Sequence, residues 1–165
     1  MTHLLTMTDA DFAWLLGEHD GPEGLTIAEG GIGADWVTEM VRDTAAEAAA
    51  FTSRDLAWMI AEGDEVVGMI SATKPAGRHR FEVGYGVAAS REGRGHTTAA
   101  VGHVLDIARA QGLAGLTAET APDNPGSRRV LEKNGFVRAG MRFDPDDGAI
   151  HKWSHDLGAA ASARN

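Results

Sequence analysis

The chain has 165 residues, a length that suits one domain with its own core. It holds no cysteine, which excludes disulfides, thiolate metal sites and a cysteine nucleophile and suits a reducing, cytoplasmic setting. A formal charge of -9 argues against a nucleic-acid binder, no apolar run approaches the ~18 residues of a membrane span, and the first seven residues lack the build of an export signal.

In chain order, residues 3–6 read as a short strand. Thr8 or Asp9 caps a helix over 11–16, where Phe12, Leu15 and Leu16 recur at helical spacing. Residues 17–33 are glycine-rich and read as a long loop. Asp35 can cap a second helix over 36–50, with Val37, Met40 and Val41 as its apolar stripe. Strands over 55–61 and 66–73 follow, joined by the turn Glu62-Gly63-Asp64-Glu65. A strand over 81–87 carries Gly84 and Gly86, a sign of a bulge or a close backbone approach. Residues 97–111 form the clearest helix, with Val101, Val104, Leu105 and Ala108 on one face and Gly112 as its C-terminal cap. A strand over 113–120 comes next. Asn124-Pro125 then supplies an N-cap and a proline at the first helical position. Strands over 136–142 and 149–156, turning at Asp146-Asp147-Gly148, end the pattern. The fold class expected is mixed α/β: about seven mostly antiparallel strands and about four helices, in one domain over 1–157 with a flexible tail over 158–165.

Charge is unevenly spread. Residues 1–73 hold fourteen acids and two bases, whereas residues 74–142 hold eleven bases and six acids. A basic segment in an acidic chain suits a compact anionic ligand. Inside it lies Val87-Ala88-Ala89-Ser90-Arg91-Glu92-Gly93-Arg94-Gly95-His96-Thr97-Thr98, between a strand and a helix. Glycines there let backbone amides turn toward a ligand, and the opening turn of the helix offers N–H groups and the positive end of its dipole. That combination suits a pyrophosphate, with Arg91 and Arg94 as added charge. No Gly-Lys-Ser/Thr follows, so it is not a nucleoside-triphosphate P-loop, and the third glycine of a dinucleotide fingerprint is missing.

A second segment, Asn124-Pro-Gly-Ser127-Arg-Arg-Val-Leu-Glu-Lys-Asn-Gly135-Phe136, stands one helix and one strand later. With Arg91-Glu-Gly-Arg-Gly-His-Thr97 it resembles the GNAT superfamily of acyl-CoA-dependent N-acetyltransferases, in particular its ribosomal-protein and antibiotic-modifying branch. The likeness covers about residues 56–156. It implies acetyl-CoA as cosubstrate, with a pantetheine arm paired to Val87 and Ala89 and a pyrophosphate on the amides of Arg94, Gly95, His96, Thr97 and Thr98. The chain departs from the family pattern at Glu92, where Gln or Arg is usual, and at Thr97, where a smaller residue is usual.

Acyl transfer to an amine needs a base for the amine's proton, stabilisation of the thioester oxygen and a proton for the leaving thiolate. The resemblance implies Glu82 as base, and a carboxylate in a partly apolar cleft is suited to that task. It implies Ser127 near the leaving sulfur, since the family's more common tyrosine position holds Leu131. Asn124 binds the pantetheine amide, caps its helix, or both; Tyr85 is a second candidate acid. Trp14, Trp36, Trp58 and Trp153 suit the core or an interface better than an acceptor pocket. No metal is expected, because His151 and His155 lie on a strand, too far apart to share an ion. The activity implied is acetyl transfer to a primary amine by direct attack; a non-catalytic acyl-CoA-binding module is the alternative. The partner expected is a small-molecule or peptide amine, cationic in keeping with the acidic first third, with a homodimer possible and neither nucleic acid nor membrane involved.

Overall fold

The computed structural model describes residues 1–158, so the tail expected over 158–165 lies, Gly158 aside, outside the described residues. Its elements are β1 (Thr2–Thr6), α1 (Asp9–Leu15), β2 (Thr26–Ile27), α2 (Asp35–Ala48), β3 (Ala57–Glu62), β4 (Glu65–Pro75), β5 (Arg80–Val87), α3 (His96–Ala110), β6 (Gly115–Thr120), α4 (Pro125–Lys133), β7 (Val137–Asp144) and β8 (Gly148–Asp156). The sheet has eight strands rather than about seven, and it is mostly antiparallel. The added strand is β2, two residues of the glycine-rich stretch that pair in parallel with Glu65 and Val66 of β4. Two residues between glycines give too short a pattern for periodicity to reveal. No helix among the described residues is long and apolar enough to cross a membrane.

The chain gathers into two compact units, one of Met1–Lys74 with Tyr85–Ala100 and one of Pro75–Gly84 with the residues from Val101 on. In the first, the strand order is β1-β3-β4 followed by the end of β5. Its centre is the β3–β4 hairpin, where Ile60, Ala61, Val66, Val67 and Ile70 are fully buried. Strands buried on both faces read as continuous apolar runs, as these do. A neighbouring cluster of Phe12, Val41, Ala57 and Met69 seats α1 and α2. In α2, Val41 is buried and Val37 partly so, but Met40 is 49% exposed and Thr38 takes the buried place beside them. Two of the three expected stripe residues, Val37 and Val41, therefore face the core, and Met40 does not. Asp35 is also the first helical residue, Ala34 being the cap.

The close backbone approach that the strand glycines announced occurs at Gly68 of β4. A Cβ built there would collide with the Gly86 carbonyl and with Val87, whereas nothing lies near a Cβ at Gly86. The glycine that permits the contact is thus the partner of the one the sequence singled out.

In the second unit the order is β5-β6-β8-β7. Val101, Val104, Leu105 and Ala108 of α3 are all buried, as are Leu116 and Ala118 of β6 and Trp153 of β8. Helix α3 closes with Gly112 N–H on the Arg109 carbonyl and Leu113 N–H on the Ala108 carbonyl, the paired bonds of a Schellman cap. Helix α4 ends in the same way, through Gly135 to Glu132 and Phe136 to Leu131. Leu131 and Phe136 are both buried, which supplies the apolar contact that accompanies this cap. So Leu131, Gly135 and Phe136 of the second motif serve packing and helix termination.

Candidate active site

The candidate residues fall in both units, and each group is built by a different device. In the first unit, β5 ends at Val87, and Ala88 N–H donates to the Val67 carbonyl of β4 at 2.7 Å. Alternation along extended backbone directs the N–H of Val87 to the opposite edge of the strand. A short 3-10 turn over Ala89–Arg91 then leads to Gly93 and Gly95, with φ of 73° and 82°. Only glycine adopts such angles without strain. The bend delivers the chain into α3, whose first helical bond runs from Ala99 N–H to the Gly95 carbonyl at 3.0 Å. The opening turn, from His96, thus aims amides and the positive dipole end at whatever lies before it.

Several side chains of the bend are engaged within the chain. Arg91 is gripped by Glu65, with Nε to Oε1 at 2.6 Å and Nη2 to Oε2 at 2.9 Å, and its Nη1 donates to the Ser90 carbonyl. The bidentate bond raises the Arg91 pKa and holds the Glu65 carboxyl below its ordinary range. Arg94 is exposed and forms no ion pair among the described residues, so it is the guanidinium open to an anion. Ser90 donates to the Glu29 carbonyl at 2.7 Å and ties the bend to the glycine-rich stretch. The His96 ring is buried, its Nδ1 2.9 Å from Thr2 Oγ1 and 3.9 Å from a Glu62 oxygen. Its main chain, rather than its ring, is what the bend presents. Thr97 and Thr98 are half-buried in the first turn, and Glu92 is exposed.

In the second unit, Glu82 is half-buried and stands opposite Thr117 at the last pair of the parallel β5–β6 ladder. The ladder ends there although β6 continues to Thr120. Phe81 and Val83 are buried on one face of β5, so Glu82 faces the other way. Asn124 caps α4, its Oδ1 accepting from Ser127 N–H at 3.1 Å. Ser127 is half-buried in the first turn of that helix; Tyr85, which belongs to the first unit, is half-buried near the end of β5.

Sequence reasoning passed over one arrangement on this unit's sheet. Arg142 of β7 clasps Glu119 of β6 at 2.6 and 3.0 Å and also reaches Asp144 at 3.2 Å. Asp144 in turn accepts from the Asp146 and Asp147 amides, which with Arg142 hold its pKa down. Glu119 shares the face of Glu82, because Glu82 pairs with Thr117 two residues before it. Twenty-three residues separate Glu119 from Arg142, so only strand pairing could have revealed the contact.

Two tryptophans, Trp58 and Trp153, are buried as core residues, and Trp153 donates to Thr120 at 2.9 Å. Trp36 is 66% exposed and is not a core residue. No group of three or more potential metal ligands gathers among the described residues.

Residues 4–137 match the model of the GNAT acetyltransferase domain, and the chain belongs to that family. The matched family is one of acetyltransferases. It is 31% identical over 91 residues to N-acetyltransferase 8F1 of Rattus norvegicus, an alignment that spans 52% of this chain and only 41% of that protein. Solved structures share the fold. The ribosomal-protein-S5-alanine acetyltransferase of Vibrio fischeri aligns with a TM-score of 0.68 at 18% identity, covering 95% of this chain and 93% of the other. RimJ of Mycobacterium smegmatis, solved with CoA-disulfide, aligns with 0.65 at 22% identity over 99% and 89%. A chimera of the spermidine N-acetyltransferase SpeG of Vibrio cholerae aligns with 0.70 at 11% identity over 99% of each chain.

Proposed function

We propose that this chain uses acetyl-CoA as cosubstrate and moves its acetyl group to a primary amine by direct attack. The observation that carries the reading is the bend at Gly93 and Gly95, left-handed at both glycines and opening directly into α3. The diphosphate of coenzyme A rests on the amides from Arg94 to Thr98, with Arg94 as counter-charge. Val87 and Ala89 pair with the pantetheine amides, and Asn124 adds a bond through its side-chain nitrogen. We treat both compact units as one acetyltransferase domain, because the family match at 4–137 runs through parts of each.

The chemistry follows from the groups named. Glu82 takes a proton from the acceptor's ammonium, so that the amine attacks as the neutral base. The nitrogen–carbon bond forms as the carbon–sulfur bond breaks. Ser127, in the first turn of α4, gives the leaving thiolate its hydrogen bond where the helix dipole favours an anion. No acyl-enzyme is needed: the chain has no cysteine, and its sequence carries no Ser-His-Asp pattern. Arg91 acts indirectly, fixing the bend through Glu65 rather than touching phosphate. The acidic first third supports a cationic acceptor, and the lack of cysteine fits a cytoplasmic setting.

The test is turnover of acetyl-CoA against a panel of peptide and small-molecule amines, with Glu82→Gln and Ser127→Ala beside the parent. Loss of kcat at unchanged coenzyme A affinity supports the two roles, and full turnover in both variants removes them. Coenzyme A binding without turnover of any amine favours an acyl-CoA-binding module instead.

A further inference from the structure

Apart from Met1, the large exposed apolar side chains gather in two places, β7 and the outer face of α2 with the turn after it. The second place carries an inference. Trp36, Met40 and Phe51 are 66%, 49% and 62% exposed. Trp36 and Met40 are four residues apart on α2, on the same face. Phe51 continues the turn, its N–H on the Ala48 carbonyl at 3.0 Å. The stripe from Trp36 to Phe51 is roughly 20 Å long at the helical rise. Monomeric proteins seldom leave such aromatic surface to water without a use for it.

The charge around the stripe has one sign. Asp35, Glu39, Asp43 and Glu47 are all exposed on α2, and none is paired with a base among the described residues. The helix's one base, Arg42, is already held by Asp9 at 2.7 and 2.8 Å and by Glu18 at 3.1 and 3.2 Å. The last turn of α2 carries Glu47 and no base, although the dipole there favours cations. An exposed indole on a helix whose exposed charges are carboxylates suits a cation twice over, through its π face and through Coulomb attraction.

We infer that the outer face of α2 with Phe51 docks a cationic, amphipathic peptide segment of another protein. Apolar side chains of that segment cover Trp36, Met40 and Phe51, while its lysines or arginines meet Glu39, Asp43 and Glu47. An anionic membrane surface is disfavoured by the same carboxylates. The docking surface goes beyond acetyl transfer and does not depend on it, since binding is read without turnover.

The test is calorimetry on the full chain with a sixteen-residue peptide of lysine and leucine at helical period, and with a glutamate–leucine peptide as control. The lysine–leucine peptide binds with affinity that falls as salt rises, and the control does not bind. Trp36→Ala and the triple variant E39Q/D43N/E47Q each weaken binding about tenfold or more while coenzyme A binding stays as in the parent; all four positions are exposed, so the fold is kept. Equal binding of both peptides, unchanged affinity in the variants, or no binding at all overturns the proposal. So does sedimentation that shows a dimer broken by Trp36→Ala, which would give the face to a second copy. Absence of coenzyme A binding in the parent would instead remove the acetyl-CoA reading and leave the peptide result standing.

Discussion

The bend at Gly93–Gly95 and the end of the β5–β6 ladder at Glu82 make opposite use of the chain. The role proposed for the bend rests on main-chain amides, and its side chains are largely engaged elsewhere: Arg91 with Glu65, the His96 ring with Thr2, Ser90 with Glu29. At Glu82 the reverse holds, for backbone pairing serves the sheet and the function assigned there rests on one carboxylate. Main-chain recognition is set by dihedral angles and tolerates changes in side chain. Side-chain chemistry tolerates backbone adjustment but not the loss of one group.

Substitutions can sharpen this contrast. The largest effect expected is that of Glu82→Gln, which lowers kcat about 100-fold or more, as removal of a general base does. Its affinity for coenzyme A by calorimetry stays unchanged; a fall in affinity with kcat intact would reverse the division of labour. Gly68→Ala drives a Cβ into the Gly86 carbonyl and Val87, and overpacking of this kind costs about 1–3 kcal/mol. Urea unfolding reads that loss. Gly95→Val forces a branched residue to a φ of 82°. A left-handed residue costs roughly 1–2 kcal/mol, so coenzyme A affinity falls about tenfold if the bend must keep its shape to bind. Arg91→Gln at the same bend changes affinity less than Arg94→Gln, which a salt titration of each variant checks.

Smaller effects separate capping from binding. Asn124→Ala removes the bond to Ser127 N–H and lowers stability by about 1 kcal/mol, seen as a fall in Tm. If coenzyme A affinity also falls, Asn124 contacts the ligand as well. The smallest effect concerns Glu65, held below its ordinary pKa of 4.5 by Arg91. Its contribution to stability is complete above that ordinary value and is lost as the pH falls through the lower, folded-state value. Stability profiles of the parent and Glu65→Gln should therefore converge as the pH falls below about 4.5. Parallel profiles there would show that the pair has no bearing on the fold.

Much of the architecture was legible in the sequence because local rules carried it. The face of Val101, Val104, Leu105 and Ala108, the cap at Gly112 and the Asn124-Pro125 start of α4 each follow from a few neighbouring residues. What escaped was non-local. Strand β2 exists through pairing with Glu65 and Val66, nearly forty residues away in sequence. The need for glycine at position 68 arises from Gly86, and the pairing of Arg91 with Glu65 spans twenty-six residues of sequence. Met40 lies outside the stripe because the core takes Thr38 beside Val37 and Val41, a choice that spacing alone does not show. The glycine bend was legible because left-handed angles demand glycine at those positions, whatever surrounds them.

The claim on which the account turns is that these amides bind the diphosphate of coenzyme A. Calorimetric titration of the full chain with coenzyme A, and in parallel with pantetheine, which lacks the diphosphate, tests it most directly. The account predicts one molecule of coenzyme A bound per chain, and pantetheine binding weaker by about tenfold or more. No heat with coenzyme A, or equal affinity for both, would contradict it.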